Sequence, residues 1–146
     1  LPPDKKERKA ILEELKNETR TIILYEAPHH LVGTLQELYQ ALGNRRMTLC
    51  RELTKKYETA SRTTIEDLIA FYKDQKPLGE CVLVIEGRSR KEMEQESQES
   101  WKDISIEEHM AIYENQGIAR KEAMKMVAKD RGVTKRDIYQ ALLLQK

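Results

Sequence analysis

Three short apolar runs, Thr21-Ile22-Ile23-Leu24-Tyr25, Met47-Thr48-Leu49-Cys50-Arg51 and Cys81-Val82-Leu83-Val84-Ile85, alternate with stretches of helical spacing. Runs of this length are too short for packed helices and suit strands, so each fixes a sheet position for the helices between them. Residues 4–18 begin with Asp4-x-x-Glu7, a capping-box-like start, and space Ala10, Ile11 and Leu15 along one helix face. Pro28 suits the first position of a helix bearing Leu31, Leu35, Leu38 and Leu42, which Gly43-Asn44 ends. Residues 52–62 are polar, after which Thr64 caps a helix carrying Ile65, Leu68, Ile69 and Tyr72, and Pro77-Leu78-Gly79 turns into the third run. Strand-helix alternation over residues 1–87 predicts an α/β layer structure with three or four short strands.

A chain of 146 residues holds one ordinary domain, or a small one with an appendage. It opens on Leu1-Pro2-Pro3 with no initiator methionine, and the expectation is a piece of a longer polypeptide. No apolar run approaches the roughly 20 residues of a membrane span, so a soluble cytoplasmic protein is expected. Cys50 and Cys81 lie inside strand-like runs and outside metal-ligand spacing, which reads as two small buried side chains in a reducing compartment. With 26 basic against 25 acidic residues, any attraction to nucleic acid must come from a local surface.

Residues 88–103 are charged and nearly free of apolar spacing; they read as a linker with some helical character. Residues 104–146 read as a small all-α unit. Ser105 caps one helix, Gly117 breaks the chain, and Ala128, Gly132 and Ile138 stand where a helix-turn-helix places its small residue, turn glycine and packing aliphatic. Seven basic side chains fall between residues 120 and 136: Arg120, Lys121, Lys125, Lys129, Arg131, Lys135 and Arg136. They form either a nucleic-acid contact or the solvated surface of a packing bundle.

Functional groups gather where strands stop. Glu26-Ala27-Pro28-His29-His30 follows the first run, and a helix start there offers free N–H groups and the positive end of the dipole. Adjacent residues on an α-helix point about 100° apart, so His29 and His30 are not expected to grip one metal. Arg51-Glu52-Leu53-Thr54-Lys55-Lys56 follows the second run and Gly79-Glu80 precedes the third. Strand ends that meet helix starts are where α/β proteins bind ligands, and a shared cleft is expected, with ordinary turns as the alternative.

Tyr25-Glu26-Ala27-Pro28-His29-His30, then residues 51–58, Arg-Glu-Leu-Thr-Lys-Lys-Tyr-Glu, then residues 79–87, Gly-Glu-Cys-Val-Leu-Val-Ile-Glu-Gly, resemble the second half of the ribosomal RNA small subunit methyltransferase I family. Leu1-Pro2 resembles the segment after that family's first domain, and residues 118–142 its helix-turn-helix extension. The family usually reads Tyr-Glu-Ser-Pro-His-Arg, so Ala27 and His30 stand where a serine hydroxyl and an arginine cation are usual. It also tends to have glycine in the middle of Arg62-Thr63-Thr64.

The resemblance implies the C-terminal domain of a tetrapyrrole-methylase-like enzyme, a mixed sheet with packed helices, followed by the helix-turn-helix unit. It implies methyl transfer from S-adenosylmethionine to the ribose 2'-hydroxyl of a cytidine in bacterial 16S rRNA of the small ribosomal subunit. The cofactor would sit between two α/β domains, so this chain without the N-terminal domain is expected to be inactive. Leu49, Cys50, Arg51, Gly79, Glu80 and Cys81 are the expected cofactor wall, mostly through backbone groups. Glu26 and Glu52 are candidate bases or orienters; Lys55 is one only if its surroundings lower its pKa. His29, Lys56, Arg120, Lys121, Lys125, Arg131, Lys135 and Arg136 are the candidate RNA contacts. Two other readings share the scaffold: a non-catalytic RNA-binding or ribosome-assembly module, and a methylase of small tetrapyrroles. Apolar helix faces could pair with the absent domain, with a second copy in a homodimer, or with both.

Overall fold

The computed structural model describes residues 1–144; the last two residues of the expected helical unit, 145 and 146, lie outside the described residues. The chain divides into two compact units, Leu1–Ser89 and Arg90–Lys146.

The first unit holds helix α1 (Lys5–Lys16), strand β1 (Ile22–Glu26), a 3-10 turn (Pro28–His30), helix α2 (Leu31–Leu42), strands β2 (Arg46–Arg51) and β3 (Thr59–Thr64), helix α3 (Ile65–Phe71) and strand β4 (Cys81–Ile85). Asp4 caps α1 by accepting from the Lys6 and Glu7 N–H groups, and Thr64 caps α3 by accepting from Asp67 N–H. Each such cap stabilises its helix by about 1 kcal/mol. Gly43 ends α2 at φ 75°, a conformation that would strain a side chain.

The sheet runs β1-β4-β2-β3. It was expected to be mixed, yet all three ladders are antiparallel, because β4 returns between β1 and β2 and runs against both. Period-two alternation sends Ile22, Met47, Leu49, Cys81, Leu83 and Ile85 to one face. There they pack with Leu31, Leu35, Leu38 and Leu42 of α2 and Ile65 and Leu68 of α3 in a single core. A fully buried Leu or Ile contributes about 1.5–3 kcal/mol, so this helix-on-sheet layer holds the unit together. The opposite face leaves Ile23 and Tyr25 exposed. Cys50 belongs to that face, opposite Val82, and is only half-buried, whereas Cys81 is buried as expected.

The second unit holds α4 (Arg90–Ser100), α5 (Ile106–Glu114), α6 (Arg120–Arg131) and α7 (Lys135–Leu144). Its core is Met110, Ala123, Met124, Val127, Ala128, Ile138 and Leu142. Gly132 closes α6 in the left-handed conformation at φ 68°, making the turn into α7. The expected linker is corrected here: most of residues 88–103 form α4, in contact with α6. Glu, Lys, Gln and Met are strong helix formers that need no apolar stripe when only one side is covered. Among the described residues no helix is long and apolar enough to cross a membrane.

Candidate active site and nucleic-acid interface

Glu26 is the last residue of β1, and its carboxylate is held from two sides. Oε1 accepts from the Ala27 N–H at 2.9 Å and Oε2 from Thr34 Oγ1 at 2.6 Å. Thr34 is 1% exposed on α2 and also accepts from Arg8 Nη2 at 2.8 Å, while Arg8 Nε donates to Glu37 at 2.6 Å. The result is a chain Arg8–Thr34–Glu26 from α1 through α2 to the strand end. A carboxylate fixed this way keeps lone pairs for a ligand without searching rotamers.

A second carboxylate lies in the β2–β3 loop. Glu52 takes a left-handed conformation, φ 53°, and so does Thr54 at φ 62°. Such backbone in residues other than glycine costs about 1–2 kcal/mol each and is concentrated at functional loops. Glu52 Oε1 accepts from Glu80 N–H at 3.1 Å, while Glu80 C=O accepts from Glu52 N–H at 3.2 Å. Gly79, at φ 77°, makes room for this: a Cβ there would collide with the Glu52 carboxylate. Lys55 pairs with Glu52 at 3.3 Å and Glu80 at 3.7 Å. The hydrogen bond from Glu52, then the charges of Glu52 and Glu80, raise the Lys55 pKa above the ordinary lysine value. The condition for Lys55 as a base is a lowered pKa, so Lys55 is corrected to a fixed cation.

Between these two elements lies a pocket of about 630 Å³ bordered by Tyr25, Glu26, Leu53, Thr54, Glu80 and Cys81. The expected residues Glu26, Glu80 and Cys81 thus meet; burial raises the Cys81 thiol pKa, partly offset by Arg51. Arg51 donates through Nε to Leu78 C=O at 3.0 Å and so ties the end of β2 to the turn before β4. Leu49 and Cys50 are not at the pocket. Leu49 is 3% exposed in the core, and both residues are paired on one side with β3 and on the other with β4. Backbone in an interior strand is already hydrogen-bonded, so these two are corrected as backbone contacts to a ligand. Lys56 and His29 are exposed, Lys56 with its ammonium 5.6 Å from the centre of the Tyr57 ring. His29 and His30 were expected to splay; on the 3-10 turn their rings lie side by side, centroids 4.1 Å apart. Leu53 and Thr54 lie at the rim; the sequence placed them in the cluster after the second run but gave neither a role, since the positive backbone angles of Glu52 and Thr54 carry no sequence signal in a non-glycine residue.

In the second unit the basic residues divide. Arg120, Lys121, Lys125 and Arg136 are exposed, and Lys135 is half-buried. Arg120 pairs with Glu114 at 3.0 Å and Lys125 with Glu122 at 3.3 Å. Arg131 is not on this surface: its Nε donates to His109 Nδ1 at 3.0 Å and its Nη2 to Ile104 C=O at 2.7 Å. His109, fully buried, stacks on Trp101 with centroids 3.9 Å apart. Its Nε2 meets Asp130 at 2.9 Å, and Tyr113 donates its hydroxyl proton to the same carboxylate. Since Nδ1 accepts from Arg131, the ring proton sits on Nε2. The hydrogen bond from the Tyr113 hydroxyl to Asp130, then burial, pushes the Tyr113 pKa up to about 12.

An α/β unit with a pocket at its strand ends, followed in the chain by a small all-α unit, is the architecture that the resemblance to a C-terminal domain of tetrapyrrole-methylase type implied. No family model matches the sequence. Pairwise, the chain is 44% identical over 141 residues to the ribosomal RNA small subunit methyltransferase I of Bacillus subtilis (strain 168), covering 97% of this chain and 48% of that protein. It is 43% identical over 139 residues to the protein of that name from Halalkalibacterium halodurans, covering 95% of this chain and 47% of the relative. To the one from Synechocystis it is 38% identical over 137 residues, 93% and 47% of the two chains. The chain belongs to the ribosomal RNA small subunit methyltransferase I family, and it spans about half the length of the curated relatives it matches.

Proposed function

We propose that this chain is the second half of an S-adenosylmethionine-dependent methyltransferase acting on the ribose 2'-hydroxyl of a cytidine in bacterial 16S rRNA, and that it is inactive without the other half. The observation that carries the reading is the strand-end pocket, in which the anchored Glu26 and Glu80, itself tied to Glu52 and Lys55 behind it, flank an apolar wall. The residues fit the cofactor's chemistry: Tyr25, Leu53 and Val82 suit an adenosyl group, and Glu80 suits its cationic ammonium. Bound there, S-adenosylmethionine would supply an electrophilic methyl group.

The protein's part is positioning and proton removal. Glu26, fixed by Thr34 and Ala27, would orient the ribose hydroxyl and take up its proton. Glu52, already engaged by Glu80 N–H and Lys55, holds the loop. Lys56, His29 and the exposed cations of α6 and α7 attract RNA phosphates without reading sequence. The reading is tested by nucleoside mass spectrometry of 16S rRNA from the source bacterium with the complete gene deleted, then restored as wild type or Glu26→Gln. Loss of 2'-O-methylcytidine on deletion, and its failure to return with Glu26→Gln, is expected. Persistence of the mark after deletion refutes the substrate; full restoration by Glu26→Gln refutes the base.

A further inference from the structure

The start of α6 and the outer stripe of α7 enclose a groove of about 360 Å³ lined by Arg120, Lys121, Met124, Tyr139, Leu142 and Leu143. Met124 and Leu142 form its buried floor, while Tyr139 and Leu143 are 53% and 49% exposed. A tyrosine and a leucine four residues apart on a helix share one face, and Arg136, three residues before Tyr139, continues that stripe. Lys121 and Lys125 repeat the i, i+4 spacing on α6. The groove is thus apolar inside and cationic along its rim, and no carboxylate is among its lining residues. Among the described residues neither the Lys121 ammonium nor the Tyr139 hydroxyl has a hydrogen-bond or ion-pair partner, so both are available to a ligand.

We propose that this groove is a nucleobase subsite for single-stranded RNA, in which an unstacked base lies against the Tyr139 ring and the flanking phosphates rest on Lys121 and Arg136. The inference rests on the reading of the helical unit as an RNA contact and adds where, and in what form, the RNA is held. Double-stranded RNA keeps its base faces stacked inside the helix, so it offers the groove only sugars and phosphates and gains nothing from Tyr139 or Leu143. An extruded base presents a π-face to the ring while its own phosphates meet the rim, which matches both halves of the groove. Stacking of this kind tolerates any base, so the subsite gives the unit affinity for unpaired RNA and little sequence preference.

The test is fluorescence anisotropy of the full chain with a fluorescein-labelled oligocytidine about a dozen nucleotides long, beside a duplex of equal length and an acidic amphipathic peptide. Wild type is expected to prefer the single strand. Tyr139→Ala should weaken that binding about tenfold, from the size of base–aromatic stacking, and Tyr139→Phe should restore it. Lys121→Gln with Arg136→Gln should weaken single strand and duplex alike and flatten the salt dependence. If Tyr139→Ala binds as wild type while the double glutamine variant is weakened, the subsite is refuted and the electrostatic RNA contact survives. If neither nucleic acid binds, the RNA reading of the unit falls with it, and binding of the acidic peptide alone reassigns the groove to a protein partner. Tyr139 is half exposed, so unchanged melting of its variants is expected and separates these outcomes from misfolding.

Discussion

Replacing Thr34 with valine removes one hydroxyl and almost no volume, which makes it the sharpest probe of the Arg8–Thr34–Glu26 chain. In the wild type that hydroxyl donates to Glu26 and accepts from Arg8, at 2.6 Å and 2.8 Å, inside a site 1% exposed. Hydrogen bonds to charged groups contribute about 1.5–3 kcal/mol each. The loss of two is softened because Arg8 keeps Glu37, and the half-buried Glu26 keeps the Ala27 N–H and can reach water. The expected destabilisation is therefore about 2 kcal/mol, less than the sum of the two bonds. For a unit of this size 1 kcal/mol corresponds to about 4–8 °C, so melting followed by far-ultraviolet circular dichroism should fall by about 8–16 °C. The single tryptophan, Trp101, lies in the other unit, so its fluorescence follows that unit separately. A double-mutant cycle with Glu26→Gln should give a coupling of at least about 1 kcal/mol. A destabilisation below about 0.5 kcal/mol, or no coupling, would show that the chain does not hold Glu26.

Two other predictions follow from the same kind of reading. Gly79→Ala adds a Cβ where Glu52 now lies, at a positive φ that disfavours any side chain, so it should cost about 1–2 kcal/mol and release Glu52 from Glu80; the Lys55 pKa, followed by NMR of labelled lysine, should fall toward its ordinary value, and an unchanged titration would contradict the pairing. Tyr113, an acid whose folded-state pKa is raised to about 12, supports folding through its proton, so that contribution is complete below about pH 10 and fades as pH rises toward 12; burial raises Tyr72 as well, so tyrosinate absorbance should show late-titrating tyrosines of which Asp130→Asn moves only Tyr113 earlier, and no change on that substitution would exclude the hydrogen bond as the cause.

Apolar spacing was enough to read the helices of the first unit and three of its strands, because Leu31, Leu35, Leu38 and Leu42, or Cys81, Leu83 and Ile85, are buried by the same periodicity that makes them visible. Strand β3 was invisible for the complementary reason: Thr59-Ala60-Ser61-Arg62 forms an exposed edge, and a strand that buries little needs no pattern. That omission hid the fact that the Leu49 and Cys50 backbone is paired on both sides, with β3 as well as β4. Arg131 looked like one more surface cation because charge is legible in sequence and direction is not. Its partners, His109 and the Ile104 carbonyl, lie 22 and 27 residues away in the chain. Glu26, by contrast, was singled out by its place at a strand end, although Thr34 and Arg8, which hold it, gave no sign of doing so.

The position of β4 bears on how the first unit comes into being. β4 is made last, yet it occupies an interior place in the sheet: Ile85 is the partner of both Ile22 and Met47. While the chain emerges during synthesis, β1 has no neighbour and its Glu26 has no pocket until the residue-81 to residue-85 segment is free to insert. The helices can form locally in that interval, but closing the loop from β1 to β4 is a late, long-range step. The pocket is therefore complete only when the final strand takes its place between β1 and β2, and a nascent chain that has not reached that point lacks the wall made by Glu80, Cys81 and Val82.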